Sequence, residues 1–267
     1  MEINKIYNES CFDTMDKMST GMVDIILTSP PYCTPNDDAR KYTDAKFRGY
    51  QVHYDVFEGF ESAEEYRQWT VDLFTCYSKI LKKDGVVLYN ISYTAANPDL
   101  LYLCMSDVIS KTDFMIVDCI SWKKKSALPQ NMNPNRLTRV CEFIFVLCRK
   151  GEENNFWMNK EKAGAKYKNL YPNFIETQNN DIQSTEVNRL NSATFSSALV
   201  MALLRMYARK DFIVYDSFMG TGTTAVGCKR FGCNFIGSEI SQAQVEFANT
   251  RLNGITKLYI PQVKQLF

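Results

Sequence analysis

Short apolar runs that stop at proline, glycine or serine punctuate this chain, and longer segments with helical spacing lie between them. Residues 23–27 (V-D-I-I-L) are β-branched and apolar and end at Thr28-Ser29-Pro30-Pro31. That pattern predicts a buried parallel strand opening into a rigid loop. A polar stretch with Gly and Tyr follows from Cys33 to about Phe60. It reads as a long loop, which compact domains keep for function or leave disordered. Over 62–81, Tyr66, Trp69, Leu73 and Tyr77 recur on one face, and Ser62 with Glu65 has capping-box spacing, so a helix is predicted. Asp84-Gly85 then turns the chain into an apolar strand at 86–91. The same reading gives a helix over 100–110, strands over 114–122 and 142–148, and a helix over 196–207. From 151 to about 190 the chain is polar, rich in Asn and Lys, dotted with Trp157, Tyr167, Tyr171 and Phe174, and without period. It reads as an insertion in an otherwise single domain spanning 1–267.

The last third carries the clearest unit. A strand at 212–215 runs into the glycine-containing turn at 216–222, a helix begins over 223–230, and a second strand at 234–237 ends in Ser238-Glu239. A helix over 242–252 closes a β-α-β nucleotide-binding half with an acidic residue at the tip of its second strand. Too few residues follow to complete a sheet, so the other strands come from earlier in the chain. The expected fold is α/β, a mostly parallel central sheet with helices on both faces. Loops 28–32 and 216–222 both leave strands at the carboxyl edge, so they are expected to meet across one pocket.

Glycine lets the backbone turn sharply and lets a ligand lie against it, and the following helix presents free N–H groups. Glu239 follows Gly222 at about the ~20-residue spacing of a ribose-binding carboxylate. Alone, Gly220, Gly222 and Ala225 fit a nicotinamide-dependent dehydrogenase equally well, or an unliganded turn. The turn argues against a P-loop kinase, because no lysine follows Gly222 where the phosphate-binding one belongs.

Composition narrows the chemistry further. Hydrophobic residues make up 45% of the chain, as in ordinary globular proteins. No apolar run approaches the ~18 residues of a membrane span, and the N-terminus lacks a signal-peptide layout, so a soluble, cytoplasmic protein is expected. The nine cysteines include no C-x-x-C pair, which argues against a zinc knuckle and for small core residues. One histidine, His53, leaves no multi-His metal site, and no metal is expected. The net charge of +1 neither supports nor excludes nucleic acid.

Thr28-Ser29-Pro30-Pro31-Tyr32 resembles the catalytic motif of the DNA amino-methyltransferases, which methylate N4 of cytosine or N6 of adenine. Residues 216–224 (D-S-F-M-G-T-G-T-T) are similar to their cofactor motif D-P-F-x-G-S-G-T-T. With the catalytic motif first and the cofactor motif last, the order resembles that of the permuted β-class. Residues 4–13 (N-K-I-Y-N-E-S-C-F-D) are similar to the family's N-terminal opening N-K-I-Y-N-G-D-C, and 191–196 (N-S-A-T-F-S) to H-P-A-x-F-P. Ser10 stands where the family has aspartate near the cofactor adenine, Ser217 replaces proline, and Asn191-Ser192 replace His-Pro.

The resemblance implies a Rossmann-like methyltransferase fold with circularly permuted motifs and S-adenosylmethionine as cofactor. It implies that Ser10, Thr194, Phe195, Asp216, Phe218, Gly220, Gly222, Thr223 and Glu239 bind the cofactor. It implies that Ser29, Pro30, Pro31 and Tyr32 carry catalysis. The exocyclic amine is a poor nucleophile because its lone pair is delocalised into the ring. Hydrogen bonds accepted by the Ser29 side chain and the Pro30 carbonyl would favour a pyramidal nitrogen and free that pair for in-line attack. Tyr32 offers a face for an extruded base. The Ser-Pro-Pro-Tyr form favours cytosine over adenine. Lys123, Lys124, Lys125, Arg136 and Arg139 are candidate DNA contacts, and about 151–190 the candidate target-recognition insertion. Expected partners are double-stranded DNA, a cognate restriction endonuclease and a second copy of the chain. RNA as substrate, a nicotinamide-dependent oxidoreductase and a binding module without catalysis are the alternatives.

Overall fold

The computed structural model describes residues 1–33, 60–93, 97–125, 135, 137–159, 171–179 and 194–254. The body of the 33–60 loop, His53, Arg136, the lysines between 160 and 168, and Asn191-Ser192 lie outside them. In chain order the strands are β1 (Lys5–Tyr7), β2 (Val23–Thr28), β3 (Leu81–Ile91), β4 (Phe114–Lys124), β5 (Cys141–Arg149), β6 (Phe174–Thr177), β7 (Ile213–Asp216) and β8 (Asn234–Ser238). The helices are α1 (Cys11–Asp16), α2 (Ala63–Ile80), α3 (Leu100–Lys111), α4 (Ser197–Tyr207), α5 (Thr223–Phe231) and α6 (Gln242–Asn253).

One sheet collects all eight strands in the order β1-β8-β7-β2-β3-β5-β4-β6. Every pairing is parallel except the two made by β5, which runs against β3 and β4. The chain leaves β2 toward β3 on one side and β7 toward β8 on the other, so the carboxyl ends of β2 and β7 flank a topological switch point.

Strand side chains alternate between two cores, because successive residues face opposite sides of a pleated sheet. Ile25, Leu27, Val86, Leu88, Ile144, Val146 and Val214 pack with α4, α5 and α6. Ile26, Val87, Tyr89, Phe145, Leu147 and Tyr215 pack with α1, α2 and α3. Both faces are therefore covered, which explains the nearly continuous apolar runs. No described helix is long and apolar enough to cross a membrane. The nine cysteines are free thiols, and six of them are buried.

Local chemistry sets the helix ends. The Ser62 hydroxyl accepts from Glu65 N at 3.0 Å, while the Glu65 carboxylate accepts from Glu61 N at 2.7 Å, one residue earlier than in a standard capping box. Ser196 and Ser241 cap α4 and α6 in the same way. Helix α5 begins and ends on left-handed glycines, Gly222 and Gly232.

Three elements escape the hydrophobic pattern. β1 is only three residues long and α1 only six, and both are fixed by their neighbours more than by periodicity. Strand β6 lies inside the stretch read as an insertion, where Phe174–Thr177 pair in parallel with Ser121–Lys124 of β4. Two boundaries also differ. β3 starts at Leu81 directly after α2, and the Asp84-Gly85 turn becomes a bulge between the pairs Val23–Leu81 and Ile25–Val86. β4 continues through Lys123 and Lys124, because pairing to β5 and β6 holds these polar residues extended.

The junction of β4 and β6 is sealed by the buried Trp122, whose indole N–H donates to Thr177 Oγ1 at 2.8 Å. Thr177→Val keeps the shape but leaves that N–H unpaired. It is expected to destabilise the protein by about 1–3 kcal/mol, seen as a lower urea midpoint with an unchanged denaturant slope.

Candidate active site

The switch point opens into a cavity of about 310 Å³, at the lower end of the ~300–1,000 Å³ usual for ligand sites. The loop leaving β2 contributes Ser29, Pro30, Pro31 and Tyr32, and the loop leaving β7 contributes Ser217, Phe218, Met219, Gly220, Thr221 and Thr223. Thr194 and Phe195, before α4, and Glu239, beyond β8, complete the wall with Ser10. Five segments separated in sequence thus converge on one cavity.

Asp216 and Gly222, also expected at the cofactor, do not line the cavity. Asp216 is 1% exposed. Its Oδ1 accepts from Thr28 Oγ1 at 2.7 Å and from Phe218 N at 3.0 Å, and its Oδ2 from Thr224 Oγ1 at 2.5 Å. It therefore fastens the glycine loop to the end of β2 from beneath. Burial pushes its carboxyl up to about 6, against three hydrogen bonds that favour the charged form. Gly222 sits at φ +83°, where a Cβ would come within 2.7 Å of Ala248 Cβ. A residue without Cβ there allows the close approach of α5 to α6. Gly220, at φ 53°, does face the cavity.

Glu239 is held by two backbone donors, Gly220 N at 2.8 Å and Ser241 N at 2.9 Å. From α6, Arg251 donates to the Thr221 carbonyl at 2.6 Å and to Thr223 Oγ1 at 3.2 Å, clamping the glycine loop from outside. The N-terminal segment is drawn in by β1. Asn8 Nδ2 donates to the carbonyls of Glu239 and Ile240, which sets Glu9, Ser10, Cys11 and Phe12 on the wall. The Ser10 hydroxyl caps α1 by accepting from Phe12 N at 3.2 Å. Lys17, hydrogen-bonded to Glu9, holds that carboxyl below the usual range. Burial pushes the Cys11 thiol up to about 12, so it stays protonated and is no nucleophile at neutral pH.

Sequence reasoning missed several wall residues. In the sequence Trp69 falls on one helical face with Tyr66, Leu73 and Tyr77. Its ring lies 5.6 Å from that of Phe218 and 6.4 Å from that of Phe12, making an aromatic side to the cavity. No local signal separates a core tryptophan from one at a cavity wall. Glu9 and Gln244 were missed for the same reason.

The candidate DNA contacts are not one uniform basic patch. Lys123 pairs with Glu176 at 3.2 Å, and Lys124 is bound to Glu142 while lying 5.0 Å over the Trp122 ring. Lys125 is exposed at the end of β4. Arg139 lies 5.3 Å over the Tyr93 ring and bonds the Tyr93 carbonyl.

A doubly wound sheet with a glycine loop, an acidic strand tip and a Pro-Pro-Tyr loop around one cavity defines a nucleotide-cofactor enzyme of the α/β class. Residues 23–250 match the N6/N4 methyltransferase family, described as DNA methylase, and the chain belongs to that family. It is 24% identical over 268 residues to the type II methyltransferase M.HinfI of Haemophilus influenzae, covering 95% of this chain and 69% of that protein. To M1.MboII of Moraxella bovis it is 22% identical, covering 95% and 98%. Among solved structures, PvuII DNA methyltransferase (cytosine-N4-specific) shares the fold with a TM-score of 0.72 at 19% identity, covering 94% of this chain and 88% of that one. The M1.HpyAVI–SAM complex shares it with a TM-score of 0.63 at 21% identity, covering 93% and 98%.

The serine that departs from the family motif has a structural partner. Ser217 Oγ lies 2.6 Å from the hydroxyl of Tyr77, a side chain with no solvent exposure. Ser217→Ala is expected to strand that hydroxyl and cost about 1–3 kcal/mol of stability. Thermal and urea unfolding of the purified variant measure it.

Proposed function

We propose that this DNA methylase transfers a methyl group from S-adenosylmethionine to the exocyclic N4 amine of a cytosine extruded from double-stranded DNA. The reading is carried by one observation, the meeting of Ser29, Pro30, Pro31 and Tyr32 with Phe218, Gly220 and Glu239 around a single cavity at the switch point.

The cavity wall suits the donor. Phe12, Trp69 and Phe218 offer flat apolar surface for a purine, and Glu9 and Glu239 offer carboxylates for hydroxyl and ammonium groups. Gly220 lets a ligand approach the backbone. Thr194 Oγ1 is buried with no hydrogen-bond partner among the described residues, which leaves a polar group for a ligand to satisfy. When bound, S-adenosylmethionine supplies a methyl group activated on a sulfonium centre.

The chain's own contribution is positioning. Ser29 Oγ and the Pro30 carbonyl accept the two amine N–H bonds, which turns the nitrogen lone pair out of the ring plane. Pro30 and Pro31 stiffen the loop and present no competing N–H. Tyr32 stacks on the extruded base. Serine at position 29 supports cytosine over adenine, in keeping with the family resemblance. Lys123, Lys125 and Arg139 are assigned to the DNA backbone, and about 151–190 to target recognition. The type II names of the relatives support a role as the methylating half of a restriction–modification pair.

Incubating the protein with unmethylated DNA and S-adenosylmethionine, followed by nucleoside mass spectrometry, tests this. N4-methylcytosine is the expected product. N6-methyladenine would overturn the choice of base, and no methylated nucleoside on a DNA carrying all six-base sequences would overturn the substrate.

A further inference from the structure

Strand β5 is the reversed strand of the sheet, so its first residues arrive at the edge where the parallel strands end. That reversal brings Glu142, the second residue of β5, beside the Ser29–Tyr32 loop. Glu142 Oε2 accepts from the Tyr32 hydroxyl at 3.2 Å and from Asn90 Nδ2 at 2.9 Å, while Lys124 is bound to Oε1. The same Asn90 nitrogen donates to Ser29 Oγ at 3.3 Å. Asn90 is 3% exposed and the Glu142 side chain 13%.

We infer that Glu142 is a positioning residue that sets both ends of the catalytic loop before a base enters. A carboxylate only accepts hydrogen bonds, so it fixes the Asn90 amide with its NH₂ toward Ser29. The amide then occupies one lone pair of Ser29 Oγ and directs the other toward the incoming amine. The second hydrogen bond tethers the Tyr32 hydroxyl and holds the plane of its ring. Lys124 neutralises the largely buried carboxylate, which would be costly to leave unpaired there. A pair of lysine and glutamate that looks like surface charge in the sequence thus becomes a brace for the reacting groups, without touching substrate. Reacting groups displaced by about 1 Å commonly lose about 100-fold in rate.

The inference rests on the reading of residues 29–32 as the catalytic loop, and the experiment separates the two. Single-turnover methyl transfer to DNA, affinity for S-adenosylmethionine by calorimetry, and melting temperature are measured for wild type, Tyr32→Ala, Tyr32→Phe, Glu142→Ala, Glu142→Gln and the double variant Tyr32→Phe/Glu142→Ala. Glu142→Ala is expected to slow transfer by about 10–100-fold with cofactor affinity within about twofold of wild type. Glu142→Gln keeps an acceptor and is expected to recover most of the rate. Tyr32→Phe, which keeps the ring and threatens no fold, is expected to slow transfer several-fold. The double variant should be less impaired than the product of the two singles, because both remove the same contact. A wild-type rate in Glu142→Ala or Tyr32→Phe, or strictly multiplicative effects in the double variant, would overturn the positioning role while a crippled Tyr32→Ala left the catalytic loop standing. A wild-type rate in Tyr32→Ala would overturn the loop itself.

Discussion

Thr28 Oγ1 donates to Asp216 Oδ1 at 2.7 Å across 188 positions of sequence, joining the last residue of β2 to the last residue of β7. Both groups are almost wholly buried, so the bond forms without competition from water. Asp216 also holds Phe218 N and Thr224 Oγ1, so one carboxylate ties the proline loop, the glycine loop and the first turn of α5 into a unit. The two motifs meet because adjacent parallel strands end side by side, and this bond fixes how closely they meet. Arg251 from outside and Glu239 from the strand tip complete the restraint on the glycine loop.

The floor of the site is polar where a simpler design would be apolar. Tyr77 pairs with Ser217, and Tyr215 with Ser238 and the Cys11 carbonyl, all at buried positions. Burial raises both tyrosine hydroxyls well above their ordinary values, so they remain protonated. Each hydroxyl adds little when paired but costs about 1–3 kcal/mol when left alone. The serine at 217 is therefore coupled to the tyrosine at 77, and a family-like proline there would require a change on α2 as well. Departures from a motif in this chain are better understood through such partners than as weakened copies of a consensus.

Much of the fold was legible because the strands that bury both faces are apolar runs ended by Pro, Gly or Ser. Helices α2, α4 and α6 also carry serine caps that announce their starts. The motif pair 28–32 and 216–224 gave both the cavity and the switch point. Other features were hidden for physical reasons. β6 has no periodicity of its own, since four residues pairing along β4 need only backbone hydrogen bonds. Lys123 and Lys124 read as candidate DNA contacts because their partners, Glu176 and Glu142, lie in other strands and leave no local trace. Asp24 interrupts an apolar run because its carboxylate accepts from Ile213 N at 2.8 Å and pairs with Lys82, contacts no local pattern reveals. Glu142 sits beside the proline loop only because β5 runs backwards, and Asn90 because β3 ends next to β2, neither of which composition records.

Through Asp216 the glycine loop and the proline loop form one mechanical unit, and Thr28→Val tests that coupling. The variant keeps the shape of residue 28 and removes its hydrogen bond to Asp216. Calorimetric affinity for S-adenosylmethionine and single-turnover methyl transfer to DNA, measured on the same folded preparation, should both fall several-fold. Unchanged cofactor affinity together with an unchanged transfer rate would contradict the account, because the two loops would then hold their places independently of the bond that joins them.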